Sequence, residues 1–116
     1  QVLTTQKRVD TIRNLDSSVG EGIAALIEFY ERYDEEKYHL DGAPLHDPCT
    51  VAYLLKPELF KFKNVNVVIE TGGTFTRGTT VVDYWEVTDR IPNVQWAYEV
   101  DDEEFFDLLN QYLSKI

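Results

Sequence analysis

Asp41-Gly42-Ala43-Pro44-Leu45-His46-Asp47-Pro48-Cys49 is the stretch on which the chain turns. A glycine, two prolines, an imidazole and two carboxylates crowd into it. Before it, apolar residues recur at helical spacing. After Phe60 they alternate as in strands, so helices give way to strands along the chain. Pro48 reads as the first residue of a helix, because proline there gives up no N–H that the helix needs, and Asp47 reads as its N-cap. The helix runs through Val51, Ala52, Leu54 and Leu55 and stops before Pro57.

Working upstream, Val19, Ile23, Leu26, Ile27, Tyr30 and Tyr33 form a stripe at spacings of three and four, with Glu21, Glu28, Glu31 and Arg32 opposite. This predicts a helix from Ser18, opened by a Ser18–Glu21 capping box. A shorter helix is predicted over Thr4 to Leu15, capped by Thr4 or Thr5, with Val9 and Ile12 on its inner face. Residues Asp34 to Leu40 read as a charged surface loop. Downstream, Val65, Val67 and Ile69 predict one strand, Thr79 to Tyr84 a second paired with it, and Val94 to Val100 a third with an aromatic face. Asp101 or Asp102 caps a last helix whose apolar side is Phe105, Leu108, Leu109, Tyr112, Leu113 and Ile116. Trp85 and Trp96 read as core or interface aromatics. Arg77 reads as part of a surface turn and His39 as exposed.

The chain has 116 residues, enough for one domain, and is 43% hydrophobic and 13% aromatic, enough for a core. Its formal net charge of −10 repels phosphate backbones and anionic bilayers, so neither nucleic acid nor membrane is expected as a partner. Cys49 is the one cysteine; it forms no intrachain disulfide, which suits a reducing cytoplasm, and reads as packing. No apolar run approaches the roughly 18 residues of a membrane span, and Gln1 to Thr5 shows no signal-peptide pattern. Methionine is absent from the sequence. The expectation is therefore that translation began upstream of Gln1 and that residues 1–116 are one segment truncated at its N-terminus.

A His-Asp pair alone has no motif status. Its plain reading is structural: Asp47 caps a helix and His46 bonds to backbone. Its chemical reading gives the neighbours two jobs. A carboxylate at a helix start can present an oxygen to a hard cation, and an imidazole can pass a proton near neutral pH. Together they suit cleavage at a sugar carbon.

The stretch Asp41 to Tyr53 resembles the C-terminal signature of the inosine–uridine preferring nucleoside hydrolases. Further similar segments follow in order: Lys56-Pro57-Glu58-Leu59-Phe60, Glu70-Thr71-Gly72, Thr76 to Asp83, Pro92-Asn93-Val94 and Phe105 to Leu109, with Leu26 to Tyr30 upstream. The resemblance implies an α/β fold, the C-terminal part of a Rossmann-like nucleoside-hydrolase fold, with helices and a small sheet of about three strands. It implies hydrolysis of the N-glycosidic bond of ribonucleosides, with Ca²⁺ as cofactor and a ribonucleoside as partner. Homo-oligomers are common in such a family. By resemblance His46 protonates the leaving base, Asp47 is a calcium ligand, and Tyr33 and Tyr38 help to close the pocket over the base. The family's N-terminal aspartate cluster has no counterpart in this chain, nor has its ribose-binding middle segment. The expectation is an active parent protein and an inactive 116-residue segment. Two alternatives stay open: a non-catalytic binding or interaction module on the same fold, and a structural α/β domain.

Overall fold

The computed structural model describes residues 2–39 and 41–116, and for residues 33–36 and 38 the backbone only. Its elements are α1 (Gln6–Arg13), α2 (Gly20–Tyr38), α3 (Asp47–Leu55), a 3-10 turn (Pro57–Leu59), β1 (Phe60–Ile69), β2 (Thr80–Asp83), β3 (Val94–Val100) and α4 (Asp102–Leu113). They fall into two compact units. One holds Gln1–Phe60 and Val100–Ile116, the other Lys61–Glu99.

In the helical unit α1 packs on α2. Val9, Ile12 and Ala24 are fully buried there, with Leu15, Ile23 and Ile27 around them. Gly20 makes the close approach possible: a Cβ on it would lie 2.6 Å from the Ile12 carbonyl oxygen. Arg13 ties the pair from outside, 3.2 Å from Glu21 and 2.6 Å from Glu28. A second cluster joins Val2, Ala52, Leu59, Phe105 and Phe106, with Leu45, Cys49 and Leu108 against it. Arg8 lies over the Phe106 ring at 4.2 Å and pairs with Asp102 at 2.7 Å, linking α1 to the start of α4. Phe105 is almost wholly buried, which stabilises by about 1.5–3 kcal/mol relative to exposure.

Several local expectations need correcting. The helix α2 does not end in a loop at Asp34 but continues to Tyr38. No glycine or proline interrupts residues 31–38, and most of those residue types are good helix formers. The capping box does not form. The Ser18 hydroxyl donates to the Ile116 carbonyl at 3.2 Å, and Glu21 is held by Arg13. Thr5 is the N-cap of α1 but makes no side-chain bond to it. At α4 the cap is Asp101, whose carboxylate accepts the Glu104 N–H at 3.0 Å.

In the sheet unit the strand order is β2-β1-β3. β1 and β2 are antiparallel, from Asn66 opposite Asp83 to Ile69 opposite Thr80. Val65 is fully buried. Trp85, expected in a core or interface, is 80% exposed, while Trp96 is half-buried. Asp83 organises the turn after β2. Its oxygens accept the Val87 and Thr88 N–H groups at 2.8 and 3.0 Å and the Thr88 hydroxyl at 2.5 Å. These donors, the Thr88 hydroxyl first, hold the Asp83 carboxyl below its ordinary pKa. Among the described residues no helix is long and apolar enough to cross a membrane.

Candidate active site

The approach to His46 is not a free loop. The Leu45 N–H donates to the Val2 carbonyl at 2.8 Å, and the Thr4 N–H donates to the Ala43 carbonyl at 2.9 Å. Leu3 and Pro44 form an antiparallel bridge between these bonds. The N-terminal segment therefore serves as a short strand that straightens residues 43–45. Gly42 turns the chain into this pairing at φ +112°, and a Cβ there would lie 2.6 Å from the Thr4 carbonyl oxygen. Only glycine meets both the torsion and the space.

His46 itself is the N-cap residue of α3, with φ −80° and ψ −49° and no side-chain capping bond. Its carbonyl accepts the Cys49 N–H at 3.1 Å. Asp47 is thus the first helical residue and Pro48 the second, one step later than the capping reading places them. The register decides this, because His46 has already adopted helical torsions. The Asp47 carboxylate caps nothing and has no hydrogen-bond partner among the described residues. It is exposed at a helix N-terminus, where the backbone dipole favours negative charge.

His46 and Asp47 border a pocket of about 290 Å³. Ala43, Pro44, Leu45 and Pro48 continue their wall, and Leu26, Ile27 and Tyr30 of α2 line it together with Thr4. That volume is close to the lower limit for small-ligand sites, about 300 Å³. One wall carries the titratable His46 and Asp47 among apolar residues, and the other is apolar and aromatic apart from Thr4. Leu26 and Tyr30 are 70% and 71% exposed, so this edge of the α2 stripe is not core. Gly20 and Ala24 supply the buried side of α2 instead. The side chains of Tyr33 and Tyr38, the expected pocket aromatics, lie outside the described residues. A larger hollow of about 620 Å³ shares Asp47 and Pro48 but is otherwise lined mainly by apolar residues such as Val51, Leu55, Leu108 and Tyr112, without His46. Of these two pockets, the smaller is the one that His46 borders.

The remaining singled-out residues take ordinary places. Cys49 donates its thiol to the Leu45 carbonyl at 3.2 Å, and burial pushes that thiol's pKa up, away from a reactive thiolate. His39 and Arg77 are exposed. Ca²⁺ takes about 6–8 oxygen ligands. Among the described residues no group of three or more His, Cys, Asp or Glu side chains converges on a metal position. Asp47 offers one free carboxylate, so the described residues alone do not fit the ion.

The family model described as inosine-uridine preferring nucleoside hydrolase matches residues 1–107. The pyrimidine-specific ribonucleoside hydrolase RihA of Klebsiella pneumoniae is 45% identical over 107 residues, covering 91% of this chain and 34% of that protein. Among solved structures, a purine-preferring ribonucleoside hydrolase from Gardnerella vaginalis superposes with a TM-score of 0.78 at 31% identity, over 99% of this chain and 36% of the other. A plant nucleoside hydrolase superposes at 0.79 with 28% identity, over 97% and 37%. The chain spans about a third of the length of the curated relatives it matches.

Proposed function

The chain belongs to the inosine-uridine preferring nucleoside hydrolase family, and from that premise we propose that the full-length protein hydrolyses the N-glycosidic bond of ribonucleosides. The observation that carries this reading is the two-sided pocket, with His46 and Asp47 facing the Leu26 and Tyr30 wall. A ribonucleoside has the matching halves: a flat, largely apolar base and a hydroxylated sugar. The α2 wall suits the base, and the Tyr30 ring offers it a face for stacking. The imidazole then sits where it can donate a proton to a base nitrogen.

N-glycoside cleavage develops positive charge on the ribose ring as the base leaves with the bonding electrons, as in other glycoside cleavage. A base that departs unprotonated carries a negative charge. Proton transfer from His46 to the base nitrogen removes that charge and lowers the barrier. Water then adds to the ribosyl carbon, loses a proton to solvent and yields free ribose. Asp47 would be one oxygen ligand of a hard cation, Ca²⁺ in this reading, with its other ligands supplied by residues outside these 116; such an ion would supply charge for gripping hydroxyls. The relatives' names divide between pyrimidine-specific and purine-preferring, so the class proposed is ribonucleosides without a base preference.

The test is His46→Ala in the full-length protein, assayed on inosine, uridine and 4-nitrophenyl riboside. Loss of the acid lowers turnover of the two nucleosides by roughly 10²–10⁴-fold. The nitrophenolate leaves without protonation, so its release is largely spared. Unchanged nucleoside turnover defeats the assignment of His46.

A further inference from the structure

The pocket's two walls are joined by one buried side chain. Thr4 is 1% exposed. Its hydroxyl oxygen lies 2.9 Å from the Ala43 carbonyl and closer still to a carboxylate oxygen of Glu31 on α2. A hydroxyl has one proton to give. The Ala43 carbonyl also receives the Thr4 N–H at 2.9 Å, so it keeps a partner when the hydroxyl proton goes to the carboxylate. The resulting charge-assisted bond is the stronger of the two choices. Glu31 follows Tyr30 directly on α2, and Ala43 stands three residues before His46. The Glu31–Thr4–Ala43 chain therefore spans from the wall bearing Tyr30 to the wall bearing His46.

We propose that Glu31 is a positioning residue for His46: acting through the Thr4 hydroxyl, it sets the spacing between the α2 wall and the Ala43–His46 segment. The proposal rests on the ribohydrolase reading above. A spacing error of about 1 Å at a reacting group can cost on the order of 100-fold. Here the error would fall on proton delivery to the base, because the moved group is the imidazole.

The discriminating measurement is the ratio of two activities in the full-length protein. Glu31→Ala is expected to lower kcat on inosine or uridine about tenfold or more and kcat on 4-nitrophenyl riboside less than twofold. Thr4→Val, which removes the hydroxyl at nearly constant shape, should lower the nucleoside rate in the same selective way. Glu31→Gln and Thr4→Ser, which keep the acceptor and the donor, should restore most of the nucleoside rate. Equal losses on both substrate classes would mean a general loss of fold and overturn the proposal. So would unchanged nucleoside rates in both Glu31→Ala and Thr4→Val. A wild-type protein that cleaves neither substrate class instead defeats the ribohydrolase reading, a result distinct from either of these.

Discussion

Gly42 shows how much of the site depends on a single backbone position. Its φ of +112° lies in a region that side-chain-bearing residues rarely enter, and the Thr4 carbonyl oxygen occupies the place of a Cβ at 2.6 Å. Gly42→Ala is expected to destabilise by at least about 1–3 kcal/mol from the torsion alone. It should also separate the Thr4–Ala43 pairing, so urea unfolding would show the loss together with faster exchange of the Thr4 and Leu45 amide protons. A variant as stable as the parent would contradict this account. His46 belongs to the same scale. Its helical torsions and unused side chain leave the imidazole available to the pocket, and the selective loss expected of His46→Ala follows from that freedom. The identity of His46 and Asp47 as candidates was legible in the sequence, since few residues there combine titratable chemistry with a forced turn. The cap position was not, because a cap is defined by torsions, and His46 enters the helix one residue early.

At the scale of elements, Asp83 gives the sheet unit a measurable pH dependence. Its donors hold the folded carboxyl below its ordinary pKa. The stabilisation they provide is therefore complete above the unfolded value of about 3.9 and is lost as the pH falls through the depressed folded value. Glu70, held down by the Gly72 and Gly73 N–H groups, and Asp102, held down by Arg8, act in the same direction. Denaturant unfolding from pH 6 to pH 2 should show stability falling below about pH 4. Asp83→Asn should be less stable at neutral pH and show a shallower fall. An equally steep fall in the variant would rule out Asp83 as a contributor. The strands were readable from the alternation of residue types, although burial does not follow it: along β3 only Trp96 and Val100 are half-buried. The length of α2 was not, because charged residues 31–38 fit a helix or a loop equally well until no breaker is found among them. What the Leu26 and Tyr30 edge faces was not legible, for a related reason. Helical spacing identifies a stripe, but it does not say whether the partner is a core or a pocket.

The whole molecule adds one expectation about activity. Among the described residues, Asp47 is the one acidic residue bordering the His46 pocket, and no metal-binding group converges. The purified 116-residue chain should therefore release no ribose from inosine or uridine in a reducing-sugar assay with added Ca²⁺, while the full-length protein does. Release by the chain alone would contradict this. The sequence by itself determined the order of helices and strands, the turn that leads into His46 and Asp47, and, through ordered short segments from Leu26 to Leu109, the family. These depend on residue type and spacing, which are local properties of the chain. Only the tertiary structure decided that the N-terminal segment pairs with residues 43–45, that α2 supplies the opposite wall, and that Thr4 and Glu31 join the two. Those contacts link residues far apart in sequence, Thr4 to Glu31 and Thr4 to Ala43. No periodicity records them, because they form only when the α1–α2 core has brought the segments together.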